Sequence, residues 1–125
     1  MNFVINGMKW NIIEKPTRSP ELLCDGRECY GTCWRSRQEI YLDESIPEDR
    51  KLKTLQHELA HAFMDAYVPM PKDEYTEEDM CEFVGLYAKE ISDIALEYMQ
   101  SKKQKANVKD FKEKFPIIEE MNQEE

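Results

Sequence analysis

The chain has 125 residues, of which 17 are Lys or Arg and 26 are Asp or Glu, a formal net charge of −9. One domain's worth of sequence with 41% hydrophobic residues can close one modest core, while 34% charged residues and a mean hydropathy of −0.75 exclude a membrane span. The acidic balance argues against a general nucleic-acid binder, because neutralising phosphates takes clustered Lys and Arg, and such a cluster occurs only at Lys102, Lys103 and Lys105.

Met1 to Gly7 carries neither the basic start nor the long apolar run of an export signal, so the chain is expected to stay in the cytoplasm with its thiols reduced. Residues 3–14 predict two short strands or a hairpin about Asn6-Gly7, the favoured type I′ turn pair. Between Lys15 and Arg27 the periodicity fades, and a connection with one helical turn at Pro20-Glu21-Leu22-Leu23 is expected. Cys24, Cys29 and Cys33 fall within ten residues, but C-x4-C-x3-C matches no common zinc spacing and reads as reduced thiols in strands and turns. Glu28 to Trp34 and Gln38 to Leu42 then form a second expected hairpin.

After Ser45-Ile46-Pro47 the period changes. Leu52, Leu55, Leu59, Ala62, Phe63 and Ala66 recur at threes and fours, which predicts an amphipathic helix ending near Tyr67, before Pro69 and Pro71. A second helix is marked by Met80, Phe83, Val84, Tyr87, Ile91, Ile94, Ala95 and Tyr98, with Thr76 able to cap its start. The sequence turns polar from Gln100 to Lys105. A third, weaker helix is expected around Val108, Phe111 and Phe115, broken at Pro116, with the final residues frayed. The expectation is one domain over residues 1–100 and a polar C-terminal extension over 101–125.

The chemistry concentrates in His57-Glu58-Leu59-Ala60-His61, an H-E-x-x-H inside the first helix, and these are the only two histidines. At 100° per residue the imidazoles project about 40° apart and can chelate one ion, while Glu58 projects to the side, placed to reach a water. The apolar stripe lies almost opposite the pair, so the histidines are not part of the hydrophobic face. A catalytic zinc needs a third protein ligand and an open position, and with no further His the ligand must be Asp, Glu or Cys. The second helix opens with Glu77-Glu78-Asp79-Met80-Cys81-Glu82. Its small residues Cys81, Gly85 and Ala88 form a strip along which another helix could approach, and Glu78 projects beside that strip. Glu82, one turn on, could orient a ligand or serve as one itself, and Glu77, Asp65, Asp79 and Cys81 stay open. Tyr67, Tyr75 and Tyr87 are candidate oxyanion donors.

The run Thr54-Leu55-Gln56-His57-Glu58-Leu59-Ala60-His61-Ala62, followed by Glu78-x-x-Cys81-Glu82-x-Val84-Gly85, resembles the ImmA/IrrE-type metallopeptidases, small zincins common on phages and mobile elements. The resemblance spans roughly residues 29–95. In that family the second helix carries E-x-x-A-[ND]-x-F-A, whose first Glu is the third zinc ligand; here Cys81 and Gly85 hold the small positions and Glu82 replaces Asn or Asp. The resemblance therefore implies a Zn2+ cofactor held by His57, His61 and Glu78, with Glu58 as catalytic base. It further implies that Gly31-Thr32-Cys33 through Ile40-Tyr41-Leu42 is the strand pair ahead of the helix, with Ile40, Tyr41 and Leu42 as the edge strand that holds peptide. The expected fold is α+β and minimal zincin-like: a short, mostly antiparallel sheet, the active-site helix and a second long packed helix. The expected function is zinc-dependent hydrolysis of a peptide bond in a protein or peptide substrate, such as a regulatory repressor, with no direct nucleic-acid or membrane partner. A catalytically inactive, zinc-stabilised protein-interaction module is the alternative.

Overall fold

In a computed structural model the described residues are 1–68 and 74–114, with side chains through Lys109. Strands β1 (Asn2–Ile5) and β2 (Met8–Lys15) form the expected hairpin, and its turn residues Asn6 and Gly7 both take positive φ, 50° and 76°. A single 3-10 turn, Pro20–Leu22, stands where the sequence predicts one helical turn. It leads into a small ribbon of β3 (Leu23–Cys24) and β4 (Arg27–Glu28) about Asp25 and Gly26, again both at positive φ. Strands β5 (Gly31–Trp34) and β6 (Glu39–Asp43) make the second expected hairpin.

The main sheet has the order β1-β2-β6-β5, and its central pair, β2 with β6, is parallel. The sheet is therefore mixed, with antiparallel pairs on either side of a parallel one. This corrects the expected role of Ile40, Tyr41 and Leu42: β6 is paired on both sides, its ladder groups are consumed, and it cannot add a peptide strand. The outer strand on that side is β5.

Helix α1 (Glu48–Tyr67) packs on β5 and β6, burying Leu55, Leu59, Ala62 and Phe63 against a sheet face that includes Ile40 and Leu42, both fully buried. Glu48 and Asp49 occupy its first turn, where the macrodipole favours acids. Two polar devices fix its approach. Lys51 Nζ sits 2.6 Å from Glu14 Oε1, joining α1 to β2. Asp43, at the end of β6 and 5% exposed, accepts from Thr17 Oγ1 (2.9 and 3.0 Å), Ser45 N (2.9 Å) and Ser45 Oγ (2.7 Å).

Burial alone would raise the Asp43 pKa, but the Ser45 and Thr17 hydrogen bonds and the nearby Lys51 outweigh it and hold the carboxyl below its ordinary 3.8. A depressed folded value contributes stability that is complete above 3.8 and is lost as pH falls from there through the folded value. Asp43→Asn should thus cost about 1–3 kcal/mol at neutral pH and flatten the acid limb of stability against pH. Denaturant titrations between neutral pH and the acid limb measure both effects.

At Gly31, Thr54 of α1 lies close against β5. A Cβ there would lie 2.6 Å from Thr54 Cγ2 and 3.1 Å from the Tyr41 carbonyl oxygen, so the chain needs glycine for space. Gly31→Ala should destabilise by about 1–3 kcal/mol through overpacking. In a Thr54→Ser background, which removes the nearer atom, the cost in urea unfolding should shrink without vanishing.

Helix α2 runs from Glu77 to Lys114 without the expected break near Gln100. No Gly or Pro lies between Leu86 and Phe115, and Gln, Ser, Lys and Ala propagate a helix readily, so polarity alone does not end it. Phe115 and Pro116 lie outside the described residues, as do Pro69 and Pro71. Thr76 and Asp79 close a reciprocal cap, with Asp79 N donating to Thr76 Oγ1 (3.1 Å) and Thr76 N to Asp79 Oδ2 (3.0 Å). The chain divides into two units, Met1–Ala95 and Leu96–Glu125. Within the first, the coarse architecture is a small mixed α+β domain. None of the helices among the described residues is long and apolar enough to cross a membrane.

Candidate metal centre

The four-residue spacing on α1 brings the two imidazoles together. His57 Nε2 and His61 Nε2 are 3.2 Å apart, with ring centroids at 4.9 Å and planes inclined at 76°. Two nitrogens held at 2.0–2.1 Å by a tetrahedral zinc stand about 3.3 Å from each other, so the pair is already spaced for one ion. Glu58 is 7% exposed; burial raises its carboxyl pKa, and the neighbouring His57 offsets this in part. A carboxylate moved upward in this way is a better proton acceptor near neutrality than an exposed one.

These groups lie along the seam between α1 and β5. His57 and Glu58 line a cleft of about 640 Å³ with Tyr30, Gly31, Arg50 and Lys53. On the other side, His57, Glu58 and His61 line a second cleft of about 560 Å³ with Cys24, Cys29, Cys33 and Arg35. The β5 backbone adds directed polar groups. Asp43 N donates to Tyr30 O (2.8 Å), which makes Tyr30 and Asp43 a hydrogen-bonded pair, so Thr32 and Trp34 also bond toward β6. Gly31 and Cys33 alternate with them and direct their N–H and C=O to the outer edge. That edge is taken at Cys29, whose N donates to Leu22 O (2.9 Å), and among the described residues no backbone group pairs with Gly31 or Cys33 on that side.

The acids of α2 sit differently from expectation. The strip Cys81, Gly85, Ala88 is exposed, and a Cβ at Gly85 would meet nothing within 4 Å, so no helix approaches there. Instead α2 meets α1 through rings: Tyr87 stacks on Tyr67 at 4.7 Å and 11°, and Phe63 lies 5.8 Å from Tyr87, which also touches Phe83. Glu78 is about 140° around the wheel from Phe83, exposed beside the small strip, and Glu77 and Glu82 are exposed as well. Asp79 is tied into the cap and Asp65 faces Arg35 Nε at 3.9 Å. Among the described residues, no third His, Cys, Asp or Glu joins the histidines in a three-donor group. Tyr67 and Tyr87 are engaged in packing, while Tyr75 is half-buried.

Cys33 stands on the α1-facing side of β5, where burial and the Glu58 carboxylate push its thiol up to about 12 and keep it neutral. Arg35, Arg50 and Lys53 at the cleft rims escaped the sequence reading. Lys53 had a signal, since it lies one turn before His57 on the same helix face. No family model, no curated protein and no solved structure matches the chain, so the geometry of this centre stands on its own.

Proposed function

We propose that the chain is a zinc-dependent peptidase whose metal is held by His57 and His61, with Glu58 as its general base. The observation that carries this reading is the 3.2 Å pairing of two imidazole nitrogens beside a buried carboxylate, at a cleft lined by the outer strand of the sheet. Bound zinc supplies Lewis acidity, polarising a carbonyl and acidifying water. The residues of the chain do the rest. The Glu58 carboxylate takes a proton from the attacking water and returns it to the leaving amine. The outward N–H and C=O groups of Gly31 and Cys33 pair with an extended peptide, the role that Ile40 to Leu42 cannot fill. A regulatory protein such as a repressor is the substrate class that the family resemblance supplies.

The zinc-loaded chain should cleave members of an extended-peptide library, and a chelator should stop it. Absence of cleavage across the library from a chain that holds one zinc would favour the second reading, a zinc-stabilised interaction module. One observation supports that alternative: Met80, Val84 and Leu86 of α2 are exposed apolar residues.

Glu78 is proposed as third ligand on the resemblance alone, and its test is comparative. Glu78→Ala should weaken zinc in chelator competition more than Glu82→Ala, which should cost no more than the roughly 10–100-fold of an orienting group. The reverse order would make Glu82 the ligand, and two unaffected variants would move the third donor off these positions.

A further inference from the structure

Strand β5 and helix α1 run side by side in the same direction. Thr54 lies against Gly31 at one end of their seam, and Asp65 faces Arg35 at the other. A peptide laid along the outer edge of β5 therefore passes lengthwise by the helix that carries the histidines. On the same face of α1, Lys53 precedes His57 by one turn and Arg50 by two, about 6 Å and about 10 Å back along the axis and only about 40° and about 20° around it.

The two ends of the seam differ in charge. Toward the start of α1, Arg50 and Lys53 are exposed and line the first cleft with Tyr30 and His57. Arg50 Cζ lies 5.0 Å from the centre of the Tyr30 ring, a contact that orients the guanidinium without neutralising it. Among the described residues neither cation forms an ion pair. The acids of that cleft are held elsewhere: Glu28 Oε1 lies 2.9 Å from Arg18 Nε, Asp49 Oδ1 accepts from Arg50 N (2.9 Å), and Glu58 is buried beside His57. Toward the end of α1, Arg35 is the one Lys or Arg among the described residues lining the second cleft, and Asp65 stands 3.9 Å from its Nε.

We infer that Arg50 and Lys53 form a carboxylate-binding subsite, so that the preferred substrate carries an acidic group two or three residues from the bond to be cleaved, on one side of it only. The spacing sets the distance: an extended chain advances about 3.3 Å per residue, and Lys53 and Arg50 stand two and three such steps from His57. The asymmetry sets the side, because Arg35 already has a carboxylate near it, while an acidic group beside Arg50 and Lys53 meets two unpaired cations. The planar fork of Arg50 can take both carboxylate oxygens, and Lys53 adds a point charge. The acidic group is a Glu or Asp side chain or the carboxylate that ends the substrate chain. This inference rests on the peptidase reading for the nature of its ligand, and a binding arm in its test separates the two.

The test scans a single Glu, matched against Gln, through each position of random peptides blocked at both ends, with a second set left free at the C-terminus. The zinc-loaded full chain is assayed for cleavage, with fragment masses locating the cut, and, once immobilised, for retention of the same peptides. Glu two or three residues to one side of the cut should be favoured roughly 3- to 10-fold over Gln, as two exposed charge pairs allow, and the preference should fade as salt is raised. The double variant Arg50→Gln, Lys53→Gln should abolish the preference, and Arg50→Glu, Lys53→Glu should turn it toward Lys, both with zinc content at the parent level. A preference within the blocked set assigns the group to a side chain, and one confined to the free-ended set assigns it to the chain end; either supports the subsite. Equal handling of Glu and Gln in cleavage and in retention, a preference on both sides of the cut, or one that survives the double Gln variant would overturn it. Cleavage without an acid preference would leave the peptidase reading standing alone. Retention of Glu over Gln peptides without any cleavage, lost in the double Gln variant, would support the subsite and overturn the peptidase reading.

Discussion

His61→Ala should abolish stoichiometric zinc binding, which in the parent chain should reach about one equivalent per chain. The two Nε2 atoms stand 3.2 Å apart, within hydrogen-bond distance of each other. Binding requires only that both rings carry their proton on Nδ1, so that both lone pairs converge. Losing one of these nitrogens should cost more than the roughly 10–100-fold that follows loss of an orienting partner. A stability readout gives an independent check. An ion that binds only the folded chain adds about 2.7 kcal/mol at a hundredfold excess over its Kd, so the zinc-dependent rise in Tm should vanish in His61→Ala. Full zinc retention in this variant would move the metal to Cys24, Cys29 and Cys33. A triple serine variant at those positions should keep the ion.

The elements that local periodicity dictates were legible. Asn6-Gly7 announced its hairpin, and the stripe from Leu52 to Ala66 announced α1 almost to its last residue. What the sequence could not show is which strands become neighbours. The parallel pairing of β2 with β6 joins segments separated by a long connection, and alternation within a strand says nothing about its partner. That pairing moved the outer edge from Ile40–Leu42 to Gly31–Cys33. The Asp25-Gly26 ribbon was hidden for another reason: two residues per strand leave no alternation to detect, although the turn pair itself is a type I′ signal.

The histidine pair was legible because helical spacing alone sets it. The third donor was not, because it depends on which side of α2 turns toward α1. The apolar residues of α2 span a wide arc, and two contacts were open to it: a close approach on Cys81, Gly85 and Ala88, or a looser one on Phe83 and Tyr87. The rings prevail since an aromatic side chain removes 150–250 Å² from water, far more than a strip of small residues can. Tyr67 and Phe63 offer a matching surface on α1. Glu78 then falls on the exposed side, and the local signal that favoured it, adjacency to small residues, points outward.

Glu58→Gln should keep zinc and fold while reducing peptide turnover by about 10²- to 10⁴-fold, the usual contribution of a general base. Gln has the shape of Glu but cannot take the water's proton, so kcat and kcat/KM should fall together with little change in KM. Stability separates this loss from misfolding. Burial raises the Glu58 pKa above its ordinary 4.5, so ionising it in the metal-free folded chain costs stability, and that cost appears as pH rises from 4.5 through the folded value. Gln carries no such cost. Without metal, the variant should therefore be at least as stable as the parent near neutral pH, with the difference closing below 4.5. Undiminished cleavage by a zinc-loaded Gln variant would remove Glu58 from the chemistry. Loss of zinc with the fold intact would instead make Glu58 a ligand, and the base would have to be sought among the other groups of the cleft.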